Sequence, residues 1–254
     1  MTEFIGIIPA RYASGRLPGK PLLDIGGKPM IQRVFEQAAK ALGNQNVWVA
    51  TDDQRIFDAV IAFGGQAVMT SENHRSGTDR IAEAVSKIGT NADVVINIQG
   101  DEPFIDPEQI KMLADCFKSP DTDIATLARP FDQTDSFDNL EDPNKVKVVV
   151  GVDGHALYFS RSVIPYIRGV EKDKWASSHQ YLIHVGMYAY RTNVLKQITQ
   201  LTPAPLEIAE SLEQLRWLSN GYTVKVSLTE KPTIGIDTAD DLETARRYCT
   251  KNNL

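Results

Sequence analysis

IPARYASGRLPGKPL, residues 8–22, is the stretch of sequence that decides the fold of this chain. The apolar residues 4–8 that lead into it predict a first strand, with no room for a helix between the strand and the loop. A loop at the carboxyl end of a first strand can surround a polyphosphate when glycines allow close approach and cations balance the charge. Within ten residues this loop holds three cations and two glycines: Arg11, Arg16, Lys20, Gly15 and Gly19.

The spacing within this loop excludes an ATPase P-loop. That motif needs four residues between its glycine and its Gly-Lys pair, and a Ser or Thr after the lysine. Here three residues separate Gly15 from Gly19, and Pro21 follows Lys20. Because the residue before a proline avoids the helical conformation, we predict no helix start directly after Lys20. A basic surface loop that binds no ligand remains the alternative interpretation.

The composition is that of a globular protein, with 254 residues of which 42% are hydrophobic and 24% charged. The net charge of -6 argues against broad binding to nucleic acid or to an anionic membrane surface. Cys116 and Cys249 each lie within a helical pattern and are expected to be small buried apolar residues in a reducing compartment. Since no apolar run approaches the length of about eighteen residues that a membrane span needs, we expect a cytoplasmic protein.

The order of predicted elements favours an α/β fold. In the first half, strands and helices alternate, which predicts a mostly parallel sheet flanked by helices, with right-handed crossovers. The strands are predicted at 4–8, 47–50, 67–69 and 94–98, and the helices at 29–42, from Asp52 or Asp53 to Gly64, at 78–88 and at 107–117.

After residue 122 the pattern changes to shorter strands and polar excursions. We expect a single domain, 1–254, with an inserted lobe at about 130–190. Here the strands are predicted at 124–128, 146–150, 156–160, 185–190 and 224–228, and the helices at 206–218 and from Thr238, where Asp241 completes a near capping box.

Two carboxylates end apolar stretches of the sequence. Asp101 follows the predicted buried strand and Gly100, and ligands of open parallel sheets bind at the carboxyl ends of the strands. A carboxylate beside a polyphosphate suits Mg²⁺, which takes one or two carboxylates together with phosphate oxygens. Asp237 lies in a similar setting before the last helix, where it could also serve only as a helix cap. For Asp101 the alternative is that it merely terminates the strand or caps a turn.

Other polar residues have weaker signals. Either Ser76 or Thr78 is expected to cap the helix that begins there, and Gly77 beside them could help to contact a nucleobase. His184 alone is typical of a hydrogen-bonded structural histidine, and Glu213 with Gln214 is typical of a solvated helix face. The sequence contains no Gly-x-Ser-x-Gly nucleophile motif, no zinc spacing and no dinucleotide-binding glycine motif after the first strand.

Nine collinear blocks together carry a resemblance to a known family. The chain resembles the 3-deoxy-D-manno-octulosonate (Kdo) cytidylyltransferases, which have the glycosyltransferase-A-like nucleotidyltransferase fold. The blocks are IPARYASGRLPGKPL (8–22), VATDD (49–53), SGTDRIAE (76–83), NIQGDEP (97–103), PNKVKVV (143–149), ALYFSRSVIPY (156–166), HVGMYAYR (184–191), LEQLR (212–216) and GIDTADDLE (235–243).

The resemblance implies transfer of a cytidylyl group from CTP to Kdo, with release of pyrophosphate, for lipopolysaccharide synthesis by a homodimer joined through the inserted lobe. It implies Mg²⁺ on Asp101 and Asp237, with Lys20 and Arg11 also catalytic. It implies that the nucleotide is held by Ala10, Arg11, Ser14, Gly15, Lys20, Ser76, Gly77 and Gln99. It implies that the sugar acid is held by Arg80, Gln99, Arg161, His184, Tyr188 and Glu213.

Two alternatives remain at this point. One is a cytidylyltransferase for a related sugar acid, such as 8-amino-Kdo or a sialic acid. The other is a non-catalytic nucleotide-binding regulatory protein on the same fold. Such a protein is expected to lack a metal-binding carboxylate or the lysine, and Asp101, Asp237 and Lys20 are all present.

Overall fold

The computed structural model of the chain describes residues 2–13, 17–232 and 234–252. The chain divides into two units. The first contains the residues up to Ala114 together with those after Pro232, and the second is Asp115–Pro232. The inserted lobe expected at 130–190 falls within the second unit, and the organisation as a single domain stays a prediction.

Four parallel strands form the sheet of the first unit, in the order β6, β1, β4, β5. The short strands β2 and β3 make a separate hairpin. Because β1 lies between β6 and β4, the loops that follow β1 and β6 leave the sheet side by side at the same edge. The strands are β1 (Phe4–Ala10), β2 (Asp24–Ile25), β3 (Lys28–Pro29), β4 (Val47–Thr51), β5 (Gln66–Met69) and β6 (Val94–Asn97).

Two helices of the first unit, α2 and α3, begin directly after side chains that cap them. The Asp53 carboxylate accepts the backbone N–H of Arg55 at 2.9 Å, and the Ser76 hydroxyl accepts that of Asp79 at 3.1 Å. Both caps were among the alternatives the sequence predicts. Pro29 is the residue before the first helix, not its first residue as predicted. The helices are α1 (Met30–Leu42), α2 (Gln54–Ala62), α3 (Gly77–Ile88) and α4 (Pro107–Cys116).

In the second unit, β7 pairs in parallel with β11 and antiparallel with β10, and β8 pairs antiparallel with both β10 and β9. The expected mostly parallel sheet with flanking helices is confirmed, and the antiparallel pairs described here are in this unit and in the β2–β3 hairpin. The strands are β7 (Ile124–Pro130), β8 (Lys147–Val150), β9 (Ala156–Ser160), β10 (Leu182–Arg191) and β11 (Val224–Leu228). The helices are α5 (Phe137–Glu141), α6 (Trp175–Ser178), α7 (Thr192–Ile198), α8 (Pro205–Glu210) and α9 (Gln214–Ser219).

The single helix predicted over 206–218 is wrong. The structure has two short helices, α8 and α9, separated at Ser211, whose backbone is left-handed with φ 50° and ψ 48°. The apolar spacing runs through this segment without a break. At the interruption, the carbonyls of Glu210 and Ser211 accept hydrogen bonds from Arg161, which is far away in sequence.

The chain returns to the first unit with its last helix, α10 (Ala239–Asn252). The predicted near capping box is confirmed, because the Thr238 hydroxyl accepts the N–H of Asp241 and the Asp241 carboxylate accepts that of Thr238. Ile236 and Leu242 are buried in a cluster with residues of the β2–β3 hairpin and of α1. This packing fixes the segment that carries Asp237. Over the described residues, no helix is both long and apolar enough to cross a membrane.

Candidate active site

Three charged side chains from distant parts of the chain meet at the edge of the first unit's sheet. The Lys20 ammonium lies 2.9 Å from Asp101 Oδ2 and 3.1 Å from Asp237 Oδ1. The lysine side chain is only 13% exposed, whereas the carboxylates are 32% and 49% exposed. Lys20 therefore acts as a shared counter-ion whose two acidic partners still face solvent.

Backbone contacts hold the two carboxylates in place. Ile98 N–H donates to Ile7 O at 3.0 Å, which extends the β1–β6 pairing up to the turn before Asp101. At Gly100, a Cβ would lie 2.6 Å from Pro9 O, so only glycine allows this close approach of the two loops. Ile236 N–H then donates to Asp101 O at 3.0 Å, which places Asp237 beside Asp101.

The described part of the loop at 8–22 closes on itself. Gly19 adopts φ +70°, and its N–H donates to Tyr12 O at 2.9 Å. Lys20–Leu22 then forms a single 3-10 turn with Pro21 buried inside. The prediction that no helix starts at Lys20 is thus wrong for this one turn, since proline fits the first turn of a helix. The predicted phosphate contacts of Ser14 and Gly15 lie outside the described residues.

An aromatic ring in this loop is held by a charged pair from the start of α2. The Arg55 guanidinium lies 3.3 Å from the centroid of the Tyr12 ring. Its Nε and Nη2 donate to the two carboxylate oxygens of Asp53 at 2.9 and 2.6 Å. These hydrogen bonds lower the pKa of Asp53 below its usual value. This stack, Tyr12–Arg55–Asp53, secures the residue to which Gly19 is bonded, and sequence reasoning missed it.

Arg11 is oriented toward the segment before α3. Its guanidinium donates to the carbonyl of His74, whose ring in turn bonds Glu83. Although burial alone would raise it, hydrogen bonds from Lys87, His74 and the backbone of Ser71 lower the pKa of Glu83 to about 2. The segment carrying Ser76 and Gly77 is therefore fixed beside the loop.

A cavity of about 240 Å³ opens where β1 and β6 end. It is lined by Pro9, Ala10, Arg11, Ala13, Lys20, Pro21, Gln99, Gly100 and Asp101. Five of these are predicted site residues, namely Ala10, Arg11, Lys20, Gln99 and Asp101. Gly77 lies close by, since a Cβ there would lie 3.7 Å from Pro9 Cγ. The structure therefore brings together most of the described residues to which the resemblance assigns the nucleotide and the metal.

Glu102, next to Asp101, is a buried carboxylate that does not line the cavity. It is 9% exposed. Burial, with a contribution from the charge of Asp101, raises its pKa to about 7. The sequence shows two adjacent acidic residues, but only the structure shows that Glu102 is buried and that Asp101 lines the cavity.

Arg80 has a different environment from the one the resemblance suggests. Its side chain is fully buried, and Nη2 and Nη1 donate to Asp52 Oδ2 and Thr70 Oγ1, both at 2.6 Å. The guanidinium thereby joins the ends of β4 and β5 to α3. Its contact with the sugar acid stays a prediction.

The remaining predicted sugar-acid residues belong to the second unit. His184 Nε2 lies 3.0 Å from Thr126 Oγ1, and the imidazole contacts the rings of Phe159 and Tyr188 at centroid distances of 5.0 and 5.3 Å. Burial lowers the pKa of His184 to about 3, so the imidazole is neutral at physiological pH. Tyr188 is itself buried, with its ring edge-on to Trp217 at 5.0 Å.

The solvated helix face expected at Glu213 and Gln214 is wrong in part. Gln214 is buried at 5% exposure and begins the short helix α9, whereas Glu213 is half-buried just before it. A helix of six residues is too short for periodicity to identify its outer face. The Arg161 guanidinium donates to three backbone carbonyls of this unit, those of Pro143, Glu210 and Ser211.

Comparison with known proteins identifies the class of enzyme. The family model described as Cytidylyltransferase matches residues 5–230. A solved structure of CMP:2-keto-3-deoxy-manno-octonic acid synthetase complexed with CTP matches with a TM-score of 0.90 and 46% identity, over 99% of this chain and 100% of that one. The fold is that of a nucleotidyltransferase.

Curated relatives narrow the class to one family. The 3-deoxy-manno-octulosonate cytidylyltransferase of Parabacteroides distasonis is 61% identical over 249 residues, which are 98% of both proteins. The protein of the same name from Phocaeicola vulgatus is 58% identical over 246 residues, which are 97% of each. This chain belongs to the 3-deoxy-manno-octulosonate cytidylyltransferase family.

Proposed function

We propose that the protein transfers the cytidylyl group of CTP to the anomeric hydroxyl of Kdo and releases pyrophosphate, as a step of lipopolysaccharide synthesis. The observation that carries this proposal is the placement of Lys20, Asp101 and Asp237 together beside the cavity at the ends of β1 and β6. The names of the relatives and of the CTP complex support the choice of CTP and Kdo. We also propose a cytoplasmic homodimer joined through the lobe at 130–190.

We propose further that Asp101 and Asp237 hold Mg²⁺. The two carboxylates fit this ion, because they are close enough to share one cation, the Lys20 ammonium, and both keep exposed surface. Two carboxylates with phosphate oxygens and waters make the ligand set that Mg²⁺ prefers. When bound, the ion would neutralise charge on the triphosphate and make its α-phosphorus more open to attack.

The residues of the chain would position the two substrates and neutralise the charge of the leaving group. Lys20 and Arg11, which both line the cavity, would stabilise the negative charge that develops on the departing pyrophosphate. Ala10, Ser14 and Gly15 would help to hold the CTP, and Ser76 and Gly77 would lie near the cytosine. Gln99, with Arg80, His184, Tyr188 and Glu213, would hold the sugar acid so that its hydroxyl meets the α-phosphorus in line with the leaving group.

A pyrophosphate-release assay tests this proposal. The purified enzyme with Mg²⁺ is given Kdo, and CTP is compared with UTP and ATP. We expect release with CTP and Kdo, and none when either is omitted. If pyrophosphate is released faster with 8-amino-Kdo or a sialic acid than with Kdo, that sugar acid is the substrate instead. Tight binding of CTP without release from any sugar acid would instead indicate a nucleotide-binding regulatory protein.

A further inference from the structure

The turn between α8 and α9 has a backbone that a serine rarely adopts. Ser211 has φ 50° and is the one non-glycine residue with positive φ among those described. The sequence on both sides has the spacing of a continuous helix, as the prediction over 206–218 records. Such a conformation persists only where the surrounding structure holds it.

Arg161, which follows the last residue of β9, donates hydrogen bonds to the backbone of this turn. Its Nε donates to Glu210 O at 2.7 Å and its Nη2 to Ser211 O at 3.3 Å. Its Nη1 donates to Pro143 O at 2.9 Å. Nε, Nη1 and Nη2 thus each donate to a backbone carbonyl, and two of these carbonyls belong to the left-handed turn.

Glu210 returns the contact from the turn to β9. Its Oε1 accepts the Ser160 hydroxyl at 2.6 Å, and its Oε2 accepts the backbone N–H of Arg161 at 2.9 Å. The hydroxyl of Ser160 also accepts Ser162 N–H at 3.0 Å. The side chain of Arg161 therefore holds the backbone of the turn, while the side chain of Glu210 holds the backbone of the strand.

This reciprocal arrangement, the Arg161–Glu210 clamp, controls where the next residues point. In a helix each residue is rotated by about 100° from the last, so a continuous helix would redirect every side chain after Ser211. With the turn in place, Leu212 N–H donates to Glu207 O and α9 starts anew at Gln214. Glu213 lies between these two points.

We propose that Glu210 is a positioning residue for the sugar-acid site, and that Arg161 acts with it by holding Ser211 in its left-handed conformation so that Glu213 faces the substrate. Arg161 then supports the site through the turn and does not bind the sugar carboxylate itself. This inference rests on the proposed function, because it takes Glu213 as a contact of the sugar acid.

The proposal is tested by removing the clamp and then relieving the strain that the clamp opposes. Arg161→Ala and Glu210→Ala are made alone and each combined with Ser211→Gly, since glycine adopts positive φ without cost from a Cβ. Glu210→Gln is the conservative variant, and Glu230→Ala, which removes an exposed carboxylate of the same unit, is the control. Thermal unfolding is followed in every variant, since Glu210 also offsets the charge of the buried Lys147.

We expect Glu210→Ala and Arg161→Ala to raise the KM for Kdo about tenfold or more, as small misplacements at a site can do, with the KM for CTP changed by less than about twofold. Adding Ser211→Gly to either variant is expected to bring the KM for Kdo most of the way back to that of the unaltered enzyme. Failure of this recovery in Arg161→Ala would show that Arg161 binds the sugar itself and would overturn the proposal. An equal rise in the KM for Kdo and the KM for CTP would also overturn the proposal, as would an unchanged KM for Kdo in Glu210→Ala.

A second measurement does not depend on the substrate. Hydrogen exchange of the amides at 210–216 is expected to speed up in Glu210→Ala and to slow again when Ser211→Gly is added. If the unaltered enzyme does not use Kdo, the proposed function fails, while this exchange result still tests the clamp. Unchanged exchange in Glu210→Ala would overturn it.

Discussion

Replacing Lys20 by methionine removes the ammonium that Asp101 and Asp237 share at 2.9 and 3.1 Å. An exposed ion pair contributes roughly 0.2–1 kcal/mol, and breaking a buried pair costs about 3–5 kcal/mol. Lys20 is nearly buried while its partners are partly exposed, so we expect a loss of about 1–2 kcal/mol between these limits. For a chain of this size the midpoint of thermal unfolding, Tm, should fall by about 3–6 °C in metal-free buffer.

Magnesium should reverse this loss. In Lys20→Met the two carboxylates face each other without a counter-ion, whereas in the unaltered enzyme an arriving ion must displace the ammonium. Mg²⁺ without nucleotide is therefore expected to raise Tm of the variant clearly more than that of the unaltered enzyme. Turnover with CTP and Kdo should fall about 100-fold or more, because a charge that stabilises the leaving group is lost.

The assay is thermal unfolding in chelator and in excess Mg²⁺, and Lys28→Met is the matched control. The Lys28 ammonium donates to both carboxylate oxygens of Glu36 at 2.8 Å, and both side chains are well exposed. Its loss should change stability by less than about 1 kcal/mol and leave the response to Mg²⁺ unaltered. An equal Mg²⁺ response in Lys20→Met and the unaltered enzyme would refute the reasoning that the lysine and the ion compete for one pair of carboxylates.

Three other predictions concern the same unit. Asp101→Asn should abolish pyrophosphate release while the circular dichroism spectrum stays that of the unaltered enzyme and Tm falls by less than in Lys20→Met, because Lys20 keeps its contact with Asp237; near-normal turnover would remove Asp101 from the mechanism. Arg55→Met should raise the KM for CTP about threefold to tenfold, because the brace on Tyr12 loses a charge contact of the kind worth about 0.5–2 kcal/mol, and an unchanged KM would show that the loop holds its shape without it. The pKa of Glu83 is lowered to about 2 from 4.5, so its stabilising contribution is present above about 4.5 and is lost as the pH falls toward 2. The unfolding free energies of the enzyme and of Glu83→Gln, measured in urea, should therefore converge over that range by roughly 1–2 kcal/mol after allowance for solvent screening, and a constant difference would contradict this.

Local signals in the sequence predicted local structure well. The first strand, predicted at 4–8, is observed as Phe4–Ala10. The cap predicted at Asp52 or Asp53 is at Asp53, and the capping pair of Thr238 with Asp241 is confirmed, because each depends on residues a few positions apart. The alternation of strands and helices also sufficed for the parallel sheet of the first unit. From that sheet followed the expectation that the loops after β1 and β6 meet at one edge.

Contacts between distant residues could not be predicted in the same way. At the break, Ser211 O accepts a hydrogen bond from Arg161, fifty residues earlier in the chain. Lys20 and Asp237 are in contact although they are 217 residues apart in the chain. The spacing of residues could not predict this contact, and only the resemblance to the family suggested it. The burial of Arg80 depends likewise on Asp52 from another element.

The central claim is that Asp101, Asp237 and Lys20 together hold the metal ion and the triphosphate. A crystal structure with Mn²⁺ in place of Mg²⁺ and a non-hydrolysable CTP analogue, with the ion located by anomalous scattering, tests it most directly. The account predicts an ion within about 2–2.3 Å of both carboxylates and Lys20 Nζ turned to a phosphate oxygen. An ion bound by neither carboxylate, with Lys20 still bridging Asp101 and Asp237, would contradict the account.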